Sequence, residues 1–171
     1  MKRIFDLSTG IGLIIILAPV FISIIIIQLL SGIYPSFIIQ DRVGKHRRIF
    51  GMLKFNTGTQ ESGFGKWLHR SGFVNLPVLV NLIFGSVSLV GPAIEKPDIV
   101  SKYQSKINFY NRRFLIRPGV IGWKLPLTRT LSLKNHKDRF DKELFYLENM
   151  SLLFDLRLIL RSVSDLVLFR K

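Results

Sequence analysis

Cysteine is absent from the 171 residues, which excludes disulfides, thiolate catalysis and Cys-ligated metals outright. Acidic residues are scarce: 11 Asp and Glu stand against 25 Lys and Arg, giving a formal charge of +14. His46, His69 and His136 are too far apart in sequence for a metal-ligand spacing, so no metal centre is expected from the residues alone. Charge of either sign is missing altogether between Asp6 and Asp41. What the chain has in quantity is hydrocarbon, with 48% apolar residues and a positive mean hydropathy. The length suits one domain with a real core and is short for two. Soluble basic proteins are seldom this apolar. A protein resting on anionic lipid, with part of its chain buried there, accounts for both the charge and the hydrocarbon. Nucleic-acid binding would leave the apolar N-terminus unexplained, so no nucleic-acid partner is expected.

Within the uncharged stretch, Leu13–Leu17 and Val20–Leu30 are almost entirely Ile, Leu, Val and Phe, long enough for a spanning helix of roughly 20 residues. No small-residue cleavage pattern follows, so a cleavable signal peptide is not expected. Pro19 interrupts the apolar run and leaves the carbonyl of Ile15 without its helical partner, which predicts a kink. Both flanks are basic, Lys2 and Arg3 before and Arg42, Lys45, Arg47, Arg48 and Lys54 after. Positive charge favours the cytoplasmic side. A re-entrant helix-break-helix with both ends on that side therefore suits the sequence better than a single crossing.

Beyond it, Phe37–Phe55 reads as two extended segments around a basic turn at Gly44. A helix is expected over about 66–85, interrupted or restarted at Pro77, with Leu76, Leu79, Val80 and Ile83 on one face. Asp98–Arg113 looks helical and basic, and two helices, about 138–148 and 151–169, close the chain. The last is amphipathic, with Arg157, Arg161, Ser164 and Asp165 on one side; its apolar arc can cover a core or lie among headgroups.

Eight short strings, in order, resemble the bacterial sugar transferase family of monotopic phosphoglycosyl transferases. They are Lys2-Arg3-Ile4-Phe5-Asp6, Ala18-Pro19, Phe37-Ile38-Ile39-Gln40-Asp41-Arg42-Val43-Gly44, Lys54-Phe55, Phe64-Gly65-Lys66-Trp67-Leu68-His69-Arg70, Ser88-Leu89-Val90-Gly91-Pro92, Arg117-Pro118-Gly119-Val120-Ile121-Gly122-Trp123 and Tyr146-Leu147-Glu148-Asn149. The resemblance covers essentially the whole chain. It implies a mainly α fold (α+β with a few short strands), with a re-entrant membrane helix over 1–36 and a cytoplasmic-face domain over 37–171 of a bacterial inner-membrane protein. It implies transfer of a sugar-1-phosphate from a UDP-sugar to polyprenyl phosphate with release of UMP. An adjacent Asp-Glu pair would do the chemistry, the Asp as covalent nucleophile beside Mg²⁺.

The family's Ser-Leu-Asp-Glu-Leu-Pro-Gln aligns without gaps on Gly72-Phe73-Val74-Asn75-Leu76-Pro77-Val78, so Val74 and Asn75 replace the dyad. Valine has no lone pair, and asparagine is no base at neutral pH. The Arg of Gly-Pro-Arg-Pro is Ala93, the Gln after Gly-Trp is Leu125, and the Arg of Lys-Phe-Arg is Asn56. What holds the fold persists and what does chemistry is missing, the pattern of a pseudoenzyme that needs no cofactor. The alternative is an active transferase with a rearranged site, using Mg²⁺ and a nucleophile among Glu61, Glu95 and Asp98. Lys54, Arg112, Arg113, Arg117 and Arg129 are the candidate phosphate contacts, with attraction to headgroups as the competing role; Pro19, Lys2 and Arg3 mark the membrane segment. Expected partners are membrane lipid, polyprenyl phosphate, UDP-sugar, and an intact sugar transferase or a second copy.

Overall fold

The computed structural model describes residues 2–58, 63–122 and 133–168. Most of the regular structure is helical: α1 (Lys2–Leu30), α2 (Gly63–Arg70), α3 (Val78–Phe84), α4 (Pro97–Tyr103), α5 (Leu133–Glu148) and α6 (Leu152–Leu168). Among the described residues four strands complete it, β1 (Phe37–Val43), β2 (Ile49–Phe55), β3 (Ser88–Val90) and β4 (Gly119–Ile121). The first two form an antiparallel hairpin around Gly44 and the last two a short parallel pair.

The helix α1 is long and apolar enough to cross a membrane. At 1.5 Å per residue its 29 residues extend about 43 Å. Sequence predicts a break at Pro19, but helical structure continues through it, and Ser23 Oγ donates to the Pro19 carbonyl at 2.8 Å. One face of this helix is docked from end to end. Asp6, Gly10, Leu13, Ile14, Leu17, Phe21, Ile24 and Gln28 recur every three or four residues, the period of a single helical stripe. The opposite side, with Ile4, Ile15 and Ile16, is bare hydrocarbon.

Polar anchors close both ends of that stripe. Lys2 Nζ donates to Asp155 Oδ2 at 2.5 Å and to the Tyr146 hydroxyl at 2.9 Å. Arg3 donates to the carbonyls of Leu82 (2.7 Å) and Ile83 (2.6 Å), satisfying the open C-terminus of α3 where a cation is favoured. Asp6 accepts from Ser88 Oγ at 2.6 Å and the Leu89 amide at 3.1 Å. At the far end Gln28 Nε2 donates to the carbonyls of Ser36 and Asn56.

Among the described residues three apolar clusters fill the interior. One joins Met52, Leu79, Leu82, Val90, Tyr146 and Leu158 under the first half of α1. A second joins Val43, Tyr103, Ile107, Tyr110, Phe114 and Phe140. The third, Ile24, Phe55, Leu68 and Val74, lies under the second half of α1.

The hairpin, the break before Pro77 and the two closing helices agree with the sequence reading. The helix expected over Asp98–Arg113 does not run that far: α4 stops at Tyr103, Phe109 takes a left-handed φ of 59°, and a 3₁₀ segment follows over Tyr110–Leu115. Tyr103, Ile107, Tyr110 and Phe114 have helical spacing in sequence, yet they reach one cluster through tight turns. Among the described side chains of α6, Asp155 and Leu158 are buried and Leu153 is 75% exposed.

Candidate functional site

The strand period brings the first site residues together. On the hairpin, Ile38, Gln40 and Arg42 of β1 face the same way as Phe50, Met52 and Lys54 of β2, and Ile38 pairs across to Lys54. Arg42 is buried; its Nη2 donates to Gln40 Oε1 at 2.8 Å and its Nη1 to the Asp41 carbonyl at 3.0 Å. Burial pushes the Arg42 pKa down, against a partial counterweight from Glu95 and Asp98. Lys54 is half-buried, and its pKa is lowered first by burial and then by the charges of Arg42 and Lys96. Three cations thus share one field.

Beside β2 lies a single 3₁₀ turn, Phe73–Asn75, entered through Gly72 at φ 77°, a conformation glycine adopts without strain. Val74 points inward, 5% exposed, against Ile24, Phe55 and Leu68. Asn75 points out. The position where the resemblance implies a nucleophile is therefore enclosed by hydrocarbon, with the membrane helix itself contributing Ile24.

The Gly91-Pro92 turn leads to a buried ionic cluster. The Ala93 amide donates to Glu143 Oε1 at 3.0 Å, and the Ala93 carbonyl accepts from Arg113 at 3.1 Å. Arg113 pairs with Glu143 at 3.0 Å and donates to the Tyr110 hydroxyl at 2.6 Å. Burial works against its charge, but Glu143 and Tyr110 outweigh it and the Arg113 pKa rises. Burial also raises the Glu143 pKa, with Arg113 and Arg139 opposing. Glu95 is held by Arg139 and lies 3.9 Å from Arg113. His136 stacks on Tyr103 with ring centroids 4.1 Å apart; burial and then Arg139 push its pKa down.

The sequence-predicted phosphate contacts are dispersed. Lys54 lies in the cation group. Arg113 is spent in the ionic cluster, Arg112 is exposed and 3.7 Å from Glu148, and Arg117 is exposed. Arg129, with Glu61, Trp123 and Leu125, lies outside the described residues. Lys2 and Arg3 are bound to the domain, and Pro19 sits on the outer side of α1. Of the replacement acids, Glu95 is committed to arginines and Asp98 is exposed. Sequence reading did not single out the buried Arg42; the alternation of β1 and β2 was the available signal for it.

At the position where the resemblance implies the dyad, the described residues do not fit a Mg²⁺ ion. Val74 offers no donor, Asn75 a single amide oxygen, and no group of three His, Asp or Glu is gathered for a metal among the described residues.

A family model described as bacterial sugar transferase matches residues 1–169. The chain is 24% identical to the UDP-N-acetylgalactosamine-undecaprenyl-phosphate N-acetylgalactosaminephosphotransferase of Aeromonas hydrophila, over 98% of this chain and 44% of that protein. It is 30% identical to the UDP-glucose:undecaprenyl-phosphate glucose-1-phosphate transferase of Xanthomonas campestris pv. campestris, over 82% of this chain and 33% of that one. Against the uncharacterized sugar transferase EpsL of Bacillus subtilis the identity is 27%, over 98% of this chain and 87% of the relative. The chain spans less than half the length of the first two relatives and most of the third. Similarity that runs from the apolar first helix to the last places this chain in the bacterial sugar transferase family.

Proposed function

We propose that this chain is a non-catalytic, membrane-bound member of its family, acting as a binding or regulatory partner in assembly of a bacterial glycan such as exopolysaccharide or O-antigen. The observation that carries the reading is Val74, packed against Ile24, Phe55 and Leu68 at the position where the resemblance implies a nucleophile. Chemistry there would need a carboxylate in reach of phosphorus and a metal to take the developing charge. A valine enclosed by hydrocarbon supplies neither.

The names of the relatives supply the ligand class: UDP-sugars and undecaprenyl phosphate. Toward these the chain recognises without transferring, in contact with membrane lipid and with an intact transferase or a second copy of itself. Docking of α1 along its whole length on one domain supports keeping both of its ends at the cytoplasmic face of the inner membrane. A perpendicular crossing would carry Gln28, with the Ser36 and Asn56 carbonyls it holds, through a bilayer core ~30 Å thick.

The test is UMP release by the full chain in lipid nanodiscs with Mg²⁺, polyprenyl phosphate and a panel of UDP-sugars. Release is expected at the rate of protein-free nanodiscs. A Val74→Asp/Asn75→Glu variant run alongside is expected to stay silent too, because its new carboxylate would sit in hydrocarbon. Turnover by the unmodified chain overturns the reading. Turnover by the double variant alone leaves the reading intact and shows that the pocket reopens around an acid.

A further inference from the structure

Polarity changes in one direction around α2. At about 100° per residue the side chains follow in the order Leu68, Phe64, Trp67, Arg70, Lys66. Leu68 is fully buried, Phe64 half-buried and Trp67 48% exposed, while Arg70 and Lys66 are exposed. From core to water the sequence is therefore aliphatic, aromatic, cation. A surface helix needs only an apolar stripe and a polar remainder. The aromatic band between them is an addition.

Trp67 is held and not loose. Its ring stacks on Phe64 with centroids 5.9 Å apart and meets Phe73 edge-on at 5.6 Å. Phe64 and Phe73 pack in turn around buried Ile24 and Leu68, together with Phe21 and Ile25 of α1. The aromatic stack thus rises from the same core that holds the second half of α1. On that half Ile22 and Ile26 are uncovered. A bare indole stands beside the bare hydrocarbon of a helix long and apolar enough to cross a membrane.

We propose that α2 docks on the bilayer surface, with Trp67 seated among the headgroups of an anionic membrane. Continuity with the uncovered face of α1 favours lipid over a protein partner as the covering. An indole suits that depth because its body is apolar and its N–H seeks water or a headgroup. Arg70 and Lys66, next around the helix, match the negative charge of such a surface. Braced by Phe64 and Phe73, the indole fixes how deeply the domain sits beside the second half of α1. The inference rests on the membrane-bound part of the reading above and is independent of whether the chain catalyses.

Trp67 and Trp123 are the two tryptophans, so Trp123→Phe leaves Trp67 as the single indole of the full chain. In nanodiscs of phosphatidylethanolamine and phosphatidylglycerol, a lipid nitroxide near the headgroup should quench its emission more than one near the acyl-chain end. Acrylamide in the water should quench it several-fold less than in the urea-denatured chain. If Trp123→Phe does not fold, the difference between the unsubstituted chain and Trp67→Phe supplies the same reading. Lys66→Gln with Arg70→Gln should raise acrylamide quenching in these nanodiscs and leave it unchanged in phosphatidylcholine. An equal rise in both lipids overturns the anionic match. Quenching by acrylamide as in the denatured chain, or stronger quenching by the deep nitroxide, overturns the headgroup seat. Shielding from acrylamide and from both nitroxides overturns it too, and assigns the indole to a protein partner. In each case α1 still holds the chain on the nanodisc and UMP release is read separately, so the reading above stands or falls on its own test.

Discussion

Val74 and Asn75 are neighbours with opposite surroundings: the first faces Ile24, Phe55 and Leu68, the second faces water. That difference makes their substitutions unequal. Val74→Asp would place an unpaired carboxylate in hydrocarbon and is expected to cost about 3–5 kcal/mol at neutral pH. The loss should shrink as pH falls, since burial raises a carboxyl pKa and the neutral form is cheaper to bury. Asn75→Glu should stay within about 0.5 kcal/mol at all pH values, as exposed substitutions do. Denaturation of each single variant in nanodiscs or micelles, at two pH values, checks both. Equal costs would mean that Val74 is not enclosed. Val74 and Asn75, at the positions where the resemblance implies a dyad, are legible in sequence because the flanking strings hold the register. That Val74 packs on α1 is not legible, because Ile24 meets it only across fifty residues of chain.

At the scale of elements, local signals reported local structure well. The turn at Gly44, the restart at Pro77 and the closing helices follow from residues within one or two turns of each boundary. Helical spacing misled at Tyr103–Phe114, where burial partners across the molecule favour turns over a longer helix. The role of Glu95 was hidden for the same reason, since its arginine partners lie at 113 and 139. The membrane element makes a direct prediction. Because the chain has no cysteine, single cysteines at Ser31, just past the end of α1, and at exposed Ser101 on α4 can be labelled selectively. An impermeant maleimide added to inverted inner-membrane vesicles should reach both, and added to spheroplasts should reach neither. Labelling of Ser31 from the spheroplast side would make α1 a simple span.

For the whole molecule, α1 is part of the core and not an appendage. Its residues pack into two of the three apolar clusters, and its polar ends satisfy groups on α3, β3 and α6. Removal of residues 1–30 would bare that hydrocarbon and orphan the α3 carbonyls. The remaining chain is therefore expected to aggregate or elute as large soluble assemblies on size exclusion, even with detergent present. A monodisperse, cooperatively melting product would show that the cytoplasmic part folds alone.

The contact of Lys2 with Asp155 closes a loop of chain 153 positions long. Because synthesis runs from the N-terminal side, the apolar helix leaves the ribosome long before α6 exists. Lipid must shelter its hydrocarbon meanwhile, and its ammonium stays unlatched until α6 arrives.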